Sequence, residues 1–169
     1  MTEIRKAQQK DAEVLVSFTQ ELADNKSLNK NNGFISHPFN IENIANAIVI
    51  CENDIPVGMV EVRKFDNDKF SFYSQYCDSK KMIPDSLLLS TMAISRQHKG
   101  KGYGRKLVEY VINTTRGNNI FCDVAIAPFY NNASHCFFQK MGFTKEAEYT
   151  HLHKDGMIRT WALYVYENV

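Results

Sequence analysis

Apolar side chains recur along this chain with two periods, and the alternation between those periods predicts a mixed order of strands and helices. After Asp11, a helix-start residue, Leu15, Phe18 and Leu22 return at spacings of three and four, which gives a helix with one packing face. Ala47 to Cys51 and Val57 to Val62 are runs of strand length, and the polar stretch Glu52 to Pro56 between them predicts a hairpin turn. Ser86 to Ile94 is another such run. Beyond a short polar link, Ser95 to His98, the residues Leu107, Val108, Val111 and Ile112 return at helical spacing with polar Glu109 and Asn113 between them. Ile120 to Ala127 reads as a strand. Lys145 to His153 and Met157 to Tyr166 flank Lys154-Asp155-Gly156, an Asp-Gly turn of the kind that joins hairpin strands. Residues 25 to 40, rich in Asn, Lys and Ser with Gly33 and Pro38, read as a polar connection between the first and second helices.

Composition narrows the class. A chain of 169 residues with 44% hydrophobic content is expected to form one domain with a real core. There is no internal repeat, no low-complexity tract and no apolar run long enough to cross a membrane, and the first residues read as a strand and helix rather than a signal peptide, so a cytoplasmic protein is expected. Cys51, Cys77, Cys122 and Cys136 are scattered without a Cys-x-x-Cys pair, which suggests neither a disulfide framework nor a zinc site. A net charge of +1 argues against strong global attraction to nucleic acid or acidic membranes.

The positive charge that matters is local. Lys99-Gly100-Lys101-Gly102-Tyr103-Gly104-Arg105-Lys106 sets three alternating glycines among four cations where a strand passes into a helix. Glycine lets the backbone turn tightly, and the first amides of a helix offer N–H groups and the positive end of its dipole to an anion. An ordinary strand-to-helix turn with a solvated basic rim is the alternative. A Walker loop would need Ser or Thr after Lys101, where Gly102 stands. A dinucleotide fingerprint from Gly100 or Gly102 would need glycine at Arg105 or Leu107. Both fail on spacing.

The turn resembles the acetyl-CoA loop of the GCN5-related N-acetyltransferase (GNAT) superfamily, Gln/Arg-x-x-Gly-x-Gly/Ala. Lys99-x-x-Gly102-x-Gly104 fits with Lys replacing Arg, and Gln97-x-x-Gly100-x-Gly102 fits literally; the first register is preferred because its last glycine directly precedes the helix. Asn131 to Phe143 resembles the family's Asn-x-x-Ala-x-x-x-Tyr-x-x-x-Gly-Phe helix, with Gly142 as a natural C-cap. Ile4 and the helix after Asp11 resemble the family's first strand and helix, and the two strands around Glu52 to Pro56 its second and third. The resemblance runs from about Ile4 to Tyr166.

It implies a single-domain GNAT-like α/β fold over residues 1–169, with a mixed, mostly antiparallel central sheet flanked by helices on both faces. It implies an acetyl-CoA-dependent N-acetyltransferase working by direct attack of an amine on the thioester, with no metal. The amides of Gly100, Lys101, Gly102, Tyr103 and Gly104, beside Lys99 and Arg105, would cradle the pyrophosphate. The backbone of Met92, Ala93 and Ile94 would pair with the pantetheine arm and offer an N–H to the oxyanion. Asn131 matches a position that meets the cofactor, or it simply caps its helix. The family's tyrosine, cast as the acid at the thiolate, falls at Phe138, which has no proton to give. A thiol of pKa about 8.5 is a tolerable leaving group, and acid catalysis adds about two to four decades. Ser134, one turn before Phe138, and Tyr130 are substitute donors, against structural roles for each.

For the base, Glu61 leads, against an edge-exposed glutamate or an ion pair with Arg63 or Arg159; Leu88 occupies the position where some members carry a basic glutamate. His151 and His153 share a strand face without a third metal ligand and read as structural. Trp161, Tyr164 and Tyr166 read as sheet packing, one of them as a candidate wall of the acceptor pocket. In the resembling family, residues 25 to 40 border the acceptor site. Acetyl-CoA and an amine acceptor, small molecule or peptide or protein amine, are the expected partners; a homodimer is allowed. Two other classes stand beside the enzyme: a module that binds acyl-CoA or regulates a partner without turnover, and RNA binding through the basic turn, for which Tyr103 is the one interleaved aromatic.

Overall fold

The computed structural model describes residues 1–24, 35, 37–153 and 156–168. Its strands are β1 (Thr2–Lys6), β2 (Ala47–Glu52), β3 (Ile55–Lys64), β4 (Leu87–Ile94), β5 (Ile120–Ala127), β6 (Thr144–Leu152) and β7 (Ile158–Tyr166). The helices are α1 (Ala12–Asp24), α2 (Asn67–Tyr73), α3 (Tyr103–Thr114) and α4 (Asn132–Lys140). The seven strands form one sheet in the order β1-β2-β3-β4-β5-β7-β6. The described residues group into two compact units. The first holds β1, α1, β2, most of β3 and the segment Leu89–Thr114; the second holds Lys64–Leu88 and the chain from Thr115 onward.

In the first unit the expected hairpin is a two-residue turn. Asn53 and Asp54 have φ of 51° and 66°, the left-handed pair whose twist suits antiparallel strands, and Glu52 pairs directly with Ile55. The apolar face read from the sequence for α1 is buried: Leu15, Phe18 and Leu22 pack with Val49, Cys51, Met59 and Ala93. A carboxylate anchors the entry to this helix. Asp11, 2% exposed, accepts Arg5 Nη1 at 2.7 Å and Nη2 at 3.0 Å and the Gln8 amide at 2.8 Å. Buried Thr19 donates to the Leu15 carbonyl at 2.6 Å and accepts the Phe39 amide at 3.0 Å, tying the chain after the polar connection to α1. The element that follows that connection is a 3-10 turn, Ile41–Asn46, capped by Asn40. Most of the connection, residues 25–34 and 36, lies outside the described residues, as do Lys154 and Asp155 of the expected hairpin turn.

The second unit packs around Phe121, Leu163 and Val165, all at most 1% exposed. β5 pairs with β7 and β7 with β6, both antiparallel. The hydrophobic pattern gives no signal for α2: it is seven residues long, too short for a 3.6 period to declare itself, and it is capped by Asp66, whose side chain accepts the Lys69 amide at 2.8 Å. Its rings do the work of a core face. Phe72 and Tyr73 join Phe65, Tyr76, Phe121 and Tyr149 in a continuous aromatic cluster.

Candidate functional site

In the first unit the glycine turn has the backbone that its composition demands. Gly100 and Gly102 have φ of 80° and 77°, where a side chain is strained, and a Cβ at either position would meet no atom within 4 Å. The Lys106 amide donates to the Gly102 carbonyl at 3.1 Å, which makes Gly102 the last residue before α3. The N–H groups of Tyr103, Gly104 and Arg105 therefore form the first turn, without intrahelical acceptors, beside open space. Two positive-φ glycines, open space and a helix N-terminus fit a pyrophosphate.

Charge around the turn is organised by a residue the sequence reading missed. Glu52, at the end of β2, accepts Lys101 Nζ at 3.1 Å and the Tyr103 hydroxyl, and His98 Nε2 lies 3.5 Å from its other oxygen. The Tyr103 hydrogen bond and then Lys101 hold its carboxyl below the usual carboxylate range. Lys106 lies over the Tyr103 ring, 5.6 Å from its centre. Burial, and then Arg96, lower the pKa of Lys99, while Arg105 faces Glu109 at 3.8 Å. The turn is thus bordered by cations held partly by one carboxylate. Changing Glu52→Gln removes a negative charge from its rim and loosens Lys101, so acetyl-CoA binding by calorimetry is expected to tighten about threefold at low salt, with the gain shrinking at high salt. An unchanged or weaker affinity counts against this account.

The approach to the turn is close-packed. β4 ends at Ile94, and the Ser95 amide donates to the Val57 carbonyl at 2.9 Å. A Cβ on Gly58 would collide with Ile94 Cδ1 and stand 3.3 Å from the Ala93 carbonyl, so Gly58 sets how closely β3 lies behind Met92, Ala93 and Ile94. An open cleft of about 570 Å³ adjoins the turn, bounded by α1 residues such as Glu13 and Ser17, by Ile55 to Val57 and by Ser95 to His98. Across it Arg96 Nε pairs with Glu21 at 3.2 Å.

Glu61, 2% exposed on β3, is bound by Arg63, whose Nε and Nη2 both reach Oε1 at 2.6 Å. This is the ion pair that the sequence left as an alternative to a base.

In the second unit, Asn131 is 5% exposed and its side chain accepts the Ser134 amide at 3.3 Å, capping α4. Phe138 is buried, edge-on to Phe143 at 5.1 Å. Ser134 is half-buried, and Tyr130 is 51% exposed, its ring stacked on His135 at 4.4 Å. The sequence reading missed His135. It is 4% exposed, with Nε2 3.2 Å from the Ala125 carbonyl and Nδ1 2.9 Å from the Tyr164 hydroxyl. The carbonyl can only accept, so Nε2 carries the proton and Tyr164 donates to Nδ1. Burial lowers its pKa and keeps the ring neutral. The rings of His151 and His153 meet edge to face at 5.4 Å, and among the described residues no group of three His, Cys, Asp or Glu could hold a metal ion.

Comparison with known proteins agrees with this arrangement. A 5-NmdU N-acetyltransferase of Pseudomonas phage PaMx11 is 26% identical over 91 residues, which make up 54% of this chain and 61% of that relative, so the chain spans less than two thirds of its length. An N-acetyltransferase of Staphylococcus aureus Mu50 superposes with a TM-score of 0.68 at 16% identity, covering 100% of this chain and 99% of that one. NAA60 of Arabidopsis thaliana, solved in complex with acetyl-CoA, gives a TM-score of 0.69 at 13% identity, with 99% of each chain covered. At such identities the two structures speak for the fold. The acetyltransferase (GNAT) domain model matches residues 43–145, from just before β2 to the start of β6 with the whole glycine turn inside, and the chain belongs to the GNAT acetyltransferase family.

Proposed function

We propose that this chain is an acetyl-CoA-dependent N-acetyltransferase, one domain over residues 1–169, that transfers the acetyl group to a primary amine. The observation that carries the reading is the pair of positive-φ glycines opening onto the N-terminus of α3 inside the region matched by the family. Bound acetyl-CoA supplies an acetyl thioester, which an uncharged amine attacks directly. The first-turn amides of α3 hold the pyrophosphate, with Lys99, Lys101 and Arg105 adding positive charge. The strand end Met92 to Ile94 lines up the pantetheine arm and turns an N–H to the developing oxyanion. Asn131 fixes the start of α4, and Ser134 or Tyr130 hydrogen-bonds the departing sulfur in place of the tyrosine absent at Phe138.

For the acceptor, the phage relative's name makes 5-NmdU a member of the test panel, beside polyamine-like, amino-sugar and peptide amines. Four unpaired cysteines support a cytoplasmic setting. The balanced net charge favours neither a membrane nor nucleic acid as partner, and a homodimer is compatible with this reading.

Release of free thiol from acetyl-CoA across that panel tests the proposal. At least one amine is expected to give steady turnover with one amide formed per thiol. Tight acetyl-CoA binding without turnover on any amine would instead favour a module that holds acyl-CoA.

A further inference from the structure

Ser95 and His98 line the open cleft of about 570 Å³ beside the glycine turn, and with Glu52 they form a row of three side chains within the first unit. Ser95 Oγ lies 2.7 Å from His98 Nδ1, and the other ring nitrogen, Nε2, lies 3.5 Å from Glu52 Oε2. A carboxylate can only accept, so Nε2 carries the proton and Nδ1 takes the hydroxyl hydrogen of Ser95. The Tyr103 hydrogen bond and then Lys101 keep the Glu52 carboxyl ionised for this role. The main chain of Ser95 is fixed on both sides: its amide donates to the Val57 carbonyl at 2.9 Å, and its carbonyl accepts the His98 amide at 3.0 Å. A serine before a 3-10 turn such as Arg96–His98 ordinarily caps a backbone amide, yet the Ser95 side chain makes no such bond. Its hydroxyl goes to the imidazole instead.

A hydroxyl on a neutral imidazole whose far nitrogen faces a carboxylate is an activated nucleophile. The cleft supplies what such a nucleophile needs. Its volume suits a small molecule, and Val14 and Ile55, 37% and 59% exposed, stand with Phe18 and Val57 as apolar lining for an acyl chain. Arg96 and Gln97 bring N–H donors to the same lining, where a carbonyl oxygen gains charge. Glu13 and Glu21 of α1 disfavour an acyl group that carries its own carboxylate. We infer that Ser95, with His98 as its base and Glu52 orienting the ring, hydrolyses small uncharged carboxylic esters in this cleft. The Ser95 O–H bond breaks, its proton goes to His98 Nδ1, and the oxygen's electron pair forms a bond to the ester carbonyl carbon. As the tetrahedral adduct collapses, the bond to the alcohol oxygen breaks, and that oxygen leaves with its electrons and takes the proton from Nδ1. Water then attacks the acyl-serine in the same way. One of its protons passes through Nδ1 to Ser95 Oγ, and the carboxylic acid leaves. The net reaction turns ester and water into acid and alcohol. Acetyl-CoA takes no part in it, so this activity stands or falls apart from acetyl transfer.

The test uses the full-length chain without acetyl-CoA, with p-nitrophenyl acetate and p-nitrophenyl butyrate as probes. Saturable release of p-nitrophenol is expected, with Ser95→Ala and His98→Gln each lowering kcat/KM about 100-fold or more. Glu52 touches no substrate and acts as a positioning residue. Glu52→Gln is therefore expected to lower kcat about tenfold with KM within about twofold, a split that mere loosening of the cleft would not give. A second measurement needs no variant to fold: an alkyl fluorophosphonate is expected to label the parent on Ser95, found by mass spectrometry of the peptide, and to stop ester hydrolysis. In His98→Gln, where Ser95 is still present, that label should be lost. The inference is overturned if Ser95→Ala hydrolyses the esters within threefold of the parent, if the parent shows no saturable hydrolysis, or if Ser95 of the parent stays unlabelled.

Discussion

Gly102→Ala is expected to weaken acetyl-CoA binding about 100-fold while leaving the protein folded. At φ of 77° an alanine is strained by roughly 1–2 kcal/mol, yet its methyl group meets no atom within 4 Å, so the free protein suffers strain without collision. The loss in melting temperature should therefore be a few degrees for a chain of this size. The ligand suffers more. The added methyl group takes up space beside the first amides of α3, and relief of the strain toward negative φ turns the peptide planes on either side of residue 102 away from the anion. A 100-fold loss is roughly 2.8 kcal/mol at 1.4 per tenfold, a size consistent with losing a few oriented N–H contacts to a charged group. Calorimetric titration with acetyl-CoA decides the matter: an affinity within threefold of the parent would mean that the pyrophosphate does not sit at this turn.

Asp11→Ala is the substitution expected to cost most in stability, about 3 kcal/mol at neutral pH. It removes a carboxylate that answers both arms of the Arg5 guanidinium and the Gln8 amide while almost wholly buried. Stripping one partner from a buried pair costs about 3–5 kcal/mol, and the low end applies because Arg5 keeps Asp54 at 3.2 Å. For 169 residues this corresponds to a melting temperature lower by roughly 6–12 °C. The effect should depend on pH in a definite direction. Burial pushes the Asp11 pKa up, but the Arg5 hydrogen bonds and the Gln8 amide outweigh it and leave the pKa lowered. A lowered carboxylate stabilises above its unfolded pKa of about 3.8 and loses that contribution as pH falls through the folded value. The parent's advantage over Asp11→Ala should thus be full at pH 7 and shrink below about pH 4. A melting difference that stays constant from pH 7 to pH 3 would refute the charge-based account.

Much of the fold was legible because its signals are short-range. β5 has the limits that its apolar run announces, and β2, β3 and β4 start or stop within a few residues of theirs. The glycine turn was legible for the same reason: positive φ and a helix start are decided by the residues themselves. α2 was not, since seven residues carry no periodicity and its aromatics read equally well as strand. Among the site residues, Glu52 was missed because it reaches Lys101 and Tyr103 across 49 and 51 positions. Asp123 meets the Tyr73 hydroxyl across 50 positions, a contact that an aspartate in an apolar run does not announce. For Asn131 the structure supplies the capping contact that the sequence held beside cofactor binding, and for Glu61 it supplies the Arg63 pair.

The order of elements, the family and a turn of left-handed glycines at a helix start are properties of the sequence by itself, since hydrophobic period and backbone preference act over a few residues. Which carboxylate meets a cation and which meets a phenol, and hence which is held ionised and which is pushed up toward pH 6, was decided only by the tertiary structure. Desolvation and charge pairing act through space, and the neighbours that set them come from distant parts of the chain.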